Sequence, residues 1–357
     1  VYVKRLILTA AALVAAVSPT PALAQAQPAT EATVSISTAT TGPRIDRNIY
    51  GQFAEHLGRG IYEGIWVGQG SRIPNIKGYR TDVLEALKHI HVPVVRWPGG
   101  CFSEVYDWRD GIGPRNKRPV RTRMNWDDVT DSNQFGTHEF LEFAELLGAA
   151  PYVSGNVGSM SPRDMQLWLE YMTADNDSAL ARERRRNGRA KPWTIRYFGI
   201  GNETWGCGGN MRPDYAADVN ARYSAFAKAP EAMNMVRVAS GASVQGGGDY
   251  EAFTEAMMKQ RGETEALSFH YYAMPMDRPK SEALGFTEAE WADCWTWHAR
   301  WIPCSPASRR SWTGTIPTKK CRSLSTSGAP GISSTRRPSR GSIMSSRTAC
   351  AMASLPR

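Results

Sequence analysis

Between residues 49 and 272 short apolar runs alternate with stretches of helical spacing, and no other feature of the chain constrains its fold as tightly. Apolar runs fall at Ile49–Phe53, Val92–Trp97, Pro151–Val157, Thr194–Ile200, Val236–Ser243 and Ala266–Tyr272. Between them, Tyr79–Ile90, Glu139–Leu147, Pro162–Met172, Tyr215–Ala227 and Tyr250–Lys259 have helical spacing. In the first of these, Val83, Leu84, Leu87 and Ile90 share one face. Strands buried on both faces read as continuous apolar runs, because helices cover the sheet on each side. Strand and helix in strict succession imply a parallel sheet wrapped by helices. A doubly wound sheet would carry a Gly-rich phosphate loop after its first strand, and none is present. The expected fold is therefore α/β, a (β/α)8 barrel with about six of its strands visible.

A barrel of this kind keeps its chemistry where the strands end. The polar residues at those ends are Glu55 and His56 after the first strand, Arg96 and Cys101 around the second, and Asn156 after the third. Asn202 and Glu203 follow the fourth strand and Ser243 the fifth; His270 and Tyr272 lie on the sixth. Each has a plain structural reading by itself. Glu55 caps a helix, His270 is a satisfied core histidine, Arg96 pairs with a structural acid, and Trp97, Trp108 and Trp205 are packing. Their recurrence at the same end of successive strands favours a site. The densest stretch is G-I-G-N-E-T-W-G at 199–206, where a strand delivers an amide and an acid to its edge beside Trp205, a flat face suited to a sugar ring.

Carboxylates and tryptophans at strand ends, together with the secretion expected from the N-terminal segment, point to glycoside hydrolysis. That reaction needs a protonated carboxyl to donate to the leaving oxygen and a second carboxylate across the sugar, about 5 Å away in retaining enzymes. Asn202 is placed to hydrogen-bond a sugar hydroxyl, and Arg96 to hold a carboxylate ionised. No Ser-His-Asp order, metal-ligand spacing or phosphate loop competes, so neither a metal nor an organic cofactor is expected.

The motifs I-Y-G-Q-F-A-E-H-L-G-R-G-I-Y-E-G-I-W at 49–66, V-V-R-W-P-G-G-C-F at 94–102, G-I-G-N-E-T-W-G at 199–206 and S-F-H-Y-Y at 268–272 resemble those of the α-L-arabinofuranosidases of glycoside hydrolase family 51. The similarity runs from about Thr33 to Trp291. It implies a retaining enzyme with Glu203 as general acid/base. Glu55, Cys101, Asn202, His270 and Tyr272 would line the arabinofuranose subsite, with Arg96 beside the nucleophile. It also implies a β-sandwich beside the barrel, largely missing here, to which a strand at 33–37 would belong. The implied partner is an arabinose-containing oligo- or polysaccharide, and the implied assembly a homo-oligomer, hexameric in relatives. Another barrel glycosidase, of endoglucanase type, and a non-catalytic carbohydrate-binding protein are the alternative readings.

The family's nucleophile sits in a D-E-W-G box, and no such box occurs in this chain. After Trp291 the texture changes. Residues 294–357 hold eleven of the 43 basic residues and none of the 34 acidic ones, with scattered Cys, Pro and Ser. The net charge of +9 therefore belongs to this tail, and no nucleic-acid partner is expected, a basic nucleic-acid-binding tail being the weakest alternative. When codons in this region are begun one nucleotide earlier, residues 323–335 allow L-D-E-W-G-A-W-Y-L-V-D. The same offset gives 292–307 a helical pattern. The expectation is a one-base shift near Ala292, with the nucleophile codon straddling Thr326 and Ser327 and the chain as written inactive.

At the other end, Lys4 and Arg5, an apolar run from Leu6 to Val17 and Ala22-Leu23-Ala24 have the form of a cleaved export signal. The expected organisation is a signal at 1–24, a linker and first sandwich strand at 25–48, an incomplete barrel at 49–291 and an aberrant tail at 292–357. The expected location is secreted or periplasmic, with mature protein starting near Gln25 and no membrane association.

Overall fold

The computed structural model describes residues 44–123, 129–241, 250–270 and 286–292, together with residues 35, 38, 39, 345 and 346. Residues 1–42 form a unit separate from 43–357, and the described strands and helices all belong to the second unit. The export-signal segment, most of the expected 33–37 strand, Ser243, Tyr272 and the Thr326–Ser327 position lie outside the described residues.

One sheet of six strands organises this unit. In sheet order they are β1 (Gln52–Phe53), β2 (Val94–Trp97), β3 (Ala150–Gly155), β4 (Tyr197–Ile200), β5 (Val236–Ala239) and β6 (Ala266–Leu267). Spatial order equals chain order and every pairing is parallel. Helices α1 (Thr81–His89), α2 (Thr137–Leu147), α3 (Pro162–Thr173), α4 (Ala179–Arg186), α5 (Pro213–Phe226) and α6 (Tyr250–Lys259) lie between consecutive strands from β1 to β6. This is the βα succession of a (β/α)8 barrel, as the periodicity predicts. Among the described residues, no helix is long and apolar enough to cross a membrane.

The two-residue period of the strands divides the core. Val95, Trp97, Val153, Phe198 and Ile200 join Leu84, Phe140, Trp168 and Leu169 of the helices in one large cluster. The intervening residues Val94, Tyr152, Tyr197, Val238 and Ala266 form a second cluster made only of strand side chains, the barrel interior. Arg96 and Ser154 fall on that same inward face, one step further along their strands.

Boundaries differ from expectation where local chemistry overrides periodicity. Ile49 and Tyr50 belong to a 3-10 turn, Arg47–Tyr50, whose start is capped by the Asp46 carboxylate accepting from the Asn48 N–H; the strand is only Gln52–Phe53. Tyr79–Arg80 pairs with Asn75–Ile76 in a hairpin ahead of α1. The sixth apolar run is broken: β6 is followed by Phe269–His270, which pairs with Ser345–Ser346.

Helix α4 carries no apolar periodicity, because its sequence is A-L-A-R-E-R-R-R. It is held by Leu180 and Ala181 and by the fully buried Arg184, whose Nη1 donates to the carbonyls of Tyr171 and Ala174 at the end of α3. The guanidinium thus satisfies helix-terminal acceptors that would otherwise be orphaned.

Candidate active site

The site grows from the interior face of β2. Arg96 is buried, and its guanidinium carbon stands 4.9 Å from the Phe53 ring centroid and 5.4 Å from that of Tyr152. Its Nε–H donates to Ser154 Oγ at 2.8 Å and its Nη2–H to Asn202 Oδ1 at 2.7 Å. A buried cation is tolerated only when it is paired or hydrogen-bonded, and the aromatic faces add to that compensation. Arg96 thereby ties the ends of β2, β3 and β4 together.

Glu203 follows directly. Its φ is +44°, in the left-handed region that a side chain other than Gly adopts at a cost of about 1–3 kcal/mol. That conformation turns the chain out of β4, and its carboxylate reaches across the strand ends. Glu203 Oε1 lies 2.6 Å from His270 Nδ1. Glu203 Oε2 lies 3.5 Å from Cys207 Sγ and 3.7 Å from Cys101 Sγ. Those sulfurs are joined in a disulfide, 1.97 Å apart. They carry no proton to donate, so they flank Glu203 as packing partners. Cys101, expected as a subsite residue, is at the site, but its thiol is consumed by this bond. Cys101, Glu203 and Cys207 also cluster closely enough to suggest metal ligands, yet disulfide sulfurs are not thiolates and do not serve as such.

Glu55 packs against the loop after β2. Its Oε1 accepts the Phe102 N–H at 3.1 Å. A Cβ on Gly99, which has φ +137°, would stand 2.3 Å from Glu55 Cγ, so only glycine lets that loop close on the acid. Burial pushes the Glu55 pKa up; hydrogen bonding from Phe102 and the charge of Arg96 work against that rise, and the charge of Glu203 adds to it. Glu55, Arg96, Cys101, Asn202, Glu203 and His270 are thus brought together.

Two residues at the strand ends have other duties. His56 is fully buried, with Nδ1 2.7 Å from Asp131 Oδ2 and Nε2 accepting from Trp97 Nε1–H at 2.9 Å. Because an indole N–H is a donor only, Nε2 is the acceptor and Nδ1 carries the proton, a neutral core histidine. Burial lowers its pKa accordingly. Asn156 is buried as well and organises its own turn, accepting from Ser159 N–H at 2.9 Å. Trp97 and Trp108 are core packing, at 0% and 2% exposure, whereas Trp205 is half-buried beside the site. Sequence reasoning missed Ser154, Cys207 and Glu104. The first two are the partners of Arg96 and Cys101. Glu104 sits in a short 3-10 turn, Cys101–Val105, that no periodicity marks.

Residues 86–285 match the family model described as the alpha-L-arabinofuranosidase 1 domain. A protein of Bacteroides ovatus named intracellular exo-alpha-L-arabinofuranosidase is 51% identical over 245 residues, 68% of this chain and 47% of that one. This chain belongs to the family 51 α-L-arabinofuranosidases. The probable α-L-arabinofuranosidase C of Aspergillus niger is 46% identical over 173 residues, 48% of this chain and 34% of its own length.

Among solved structures of the family, the GH51 arabinofuranosidase of Xanthomonas axonopodis pv. citri superposes with a TM-score of 0.69 at 51% identity, covering 72% of this chain and 52% of that one. The Thermotoga maritima α-L-arabinofuranosidase, solved as an arabinose complex, gives 0.59 at 38% identity, covering 65% and 46%. The chain spans about half the length of the Bacteroides relative and about a third of the Aspergillus one.

These comparisons correct one expectation. The secreted or periplasmic location drawn from residues 1–24 is overturned, since the Bacteroides arabinofuranosidase, 51% identical, is named intracellular.

Proposed function

We propose that this barrel serves a retaining glycoside hydrolase that releases terminal non-reducing α-L-arabinofuranosyl groups from arabinan- and arabinoxylan-type oligosaccharides, with Glu203 as general acid/base. The observation that carries the reading is the carboxylate of Glu203 at the end of β4, 2.6 Å from His270 and next to an Asn202 held by Arg96. In the first step the Glu203 carboxyl gives its proton to the glycosidic oxygen as the bond from that oxygen to the anomeric carbon breaks. A second carboxylate bonds to that carbon. In the second step ionised Glu203 takes a proton from water, whose oxygen displaces the enzyme carboxylate and frees arabinose. Asn202, Glu55 and His270 line the furanose subsite, and Tyr272, expected beside them, completes the proposed set. The Thermotoga maritima relative solved with arabinose supports this choice of sugar.

The second carboxylate is the glutamate of the shifted reading frame, encoded across Thr326 and Ser327. The proposal therefore has two parts. The 357-residue chain as written lacks its nucleophile and does not turn over. A chain with the frame restored near Ala292 does. Both are expressed and assayed for release of 4-nitrophenol from 4-nitrophenyl α-L-arabinofuranoside. Turnover by the restored chain alone is the expected result. Comparable turnover by the chain as written overturns the assignment of the nucleophile, and an inactive, folded restored chain overturns the activity.

A further inference from the structure

Glu104 is a buried acid that the mechanism above does not use. It is 2% exposed and lies in the turn after β2, behind the strand ends that carry the site. Its Oε1 accepts the backbone N–H of Asn202, immediately after β4. Its Oε2 accepts the N–H groups of Val157 at 2.8 Å and Gly158 at 2.7 Å, just after β3. Its own carbonyl accepts Ser159 Oγ–H at 2.7 Å, so the Glu104 backbone is fixed to the same β3 loop. Burial pushes its pKa up to about 7. The N–H groups of Asn202, Gly158 and Val157 and the charge of Arg96 oppose that rise by favouring the ionised form. The surroundings leave room for little else. A Cβ on Gly201 (φ +81°) would meet Glu104 Oε1 at 3.1 Å, and one on Gly158 would meet Oε2 at 3.1 Å.

We propose that Glu104 is a positioning residue for the acid/base: its carboxylate bridges the ends of β3 and β4 and fixes the Asn202–Glu203 peptide in the orientation from which Glu203 reaches His270 and the glycosidic oxygen. The inference rests on the reading of Glu203 as acid/base. Asn202 is clamped twice, at its backbone N–H by Glu104 and at its side chain by Arg96. Glu203 departs from that clamp in the left-handed conformation. Removing the backbone clamp frees the peptide that sets the direction of the Glu203 side chain, while Arg96 continues to hold the Asn202 amide.

Glu104→Gln isolates this effect. A glutamine has one carbonyl oxygen and one NH2 group, and the NH2 cannot accept a hydrogen bond. The carbonyl serves Val157 and Gly158, where two N–H groups converge, and the NH2 is left facing the Asn202 N–H. In the frame-restored enzyme, a misplaced acid/base matters most where the leaving group needs a proton. With phenyl α-L-arabinofuranoside, E104Q lowers the rate of the first chemical step, read by single-turnover kinetics, about 10- to 100-fold. With the 2,4-dinitrophenyl arabinofuranoside, whose leaving group departs unprotonated, the rate of that step stays within about 3-fold. An equal loss on both substrates, or no loss on either, overturns the proposal. If E104Q does not accumulate folded, E104D, which keeps the charge and is one methylene too short to span both strand ends, is measured the same way and judged by the same split.

A restored enzyme that is inactive with Glu104 intact fails the functional reading and not this one. The bridge is then judged on the 357-residue chain by amide hydrogen exchange. Exchange at Asn202 at least about 10-fold faster in E104Q supports it, and an unchanged rate overturns it.

Discussion

His270 Nδ1 and Glu203 Oε1 stand 2.6 Å apart, although 67 residues separate them in the chain. Both side chains are largely buried at the strand ends, and the contact leaves Glu203 Oε2 as the oxygen facing the two disulfide sulfurs. The imidazole therefore fixes which way the carboxyl points. Replacing His270 by Phe in the restored enzyme keeps the volume and removes the partner. The expected result is a fall in kcat of about 10- to 100-fold on phenyl arabinofuranoside, the scale of a misplaced catalytic group. Steady-state kinetics check it.

Arg96→Lys keeps the charge and loses the fork. One ammonium cannot reproduce the two directed bonds to Ser154 and Asn202 or the guanidinium's contacts with the Phe53 and Tyr152 rings. A destabilisation of about 1.5–3 kcal/mol is expected, the scale of a lost hydrogen bond to a charged group. Chemical denaturation of the folded chain measures it, and Ser154→Ala, which removes one acceptor, loses less.

Gly201→Ala tests the corner after β4. Its φ is +81°, and a Cβ there would stand 2.5 Å from Val157 Cγ2. Strain of about 1–3 kcal/mol is expected. Because the same methyl presses on Glu104 Oε1, activity falls along with stability. Gly148→Ala, at φ +68° with nothing within 4 Å of the added methyl, costs stability alone.

Away from the site, His138 predicts a pH dependence of stability. Burial lowers its pKa from 6.5 to about 4. Between those values the unfolded chain binds more protons than the folded one, so the stabilisation is complete above pH 6.5 and is lost as pH falls toward 4. His138→Gln does not titrate. The difference in stability between chain and variant should change with pH in that window by up to about 1.4 kcal/mol per pH unit. Taking the difference removes the contributions of His56, which is also depressed, and of Glu104, which titrates with the opposite sign.

The barrel was legible because its signals are local. Val94–Trp97 and Tyr197–Ile200 are wholly buried strands and read as apolar runs, the first interrupted only by Arg96. An arginine inside such a run, or a histidine at the end of another, stands out for the same reason, and Arg96 and His270 are both at the site. What did not show is long-range pairing. His56 stands beside Glu55 in sequence, yet points the other way, to Asp131 75 residues on. Glu104 lies among Phe102, Ser103, Val105 and Tyr106 with no spacing to mark it, and its three amide partners come from the turns that follow two other strands. The Cys101–Cys207 bond spans 106 residues. Such partners are set by where strands end in space, which a one-dimensional pattern does not encode.

The most direct test of Glu203 as the acid/base is Glu203→Ala in the frame-restored chain, assayed by the rate of the first chemical step on phenyl and on 2,4-dinitrophenyl α-L-arabinofuranoside. Loss of a general acid predicts a drop of about 10²- to 10⁴-fold on the first substrate and a far smaller one on the second. An E203A variant whose rates fall equally on both, or do not fall at all, would contradict the assignment of Glu203 and with it the mechanism proposed for the site.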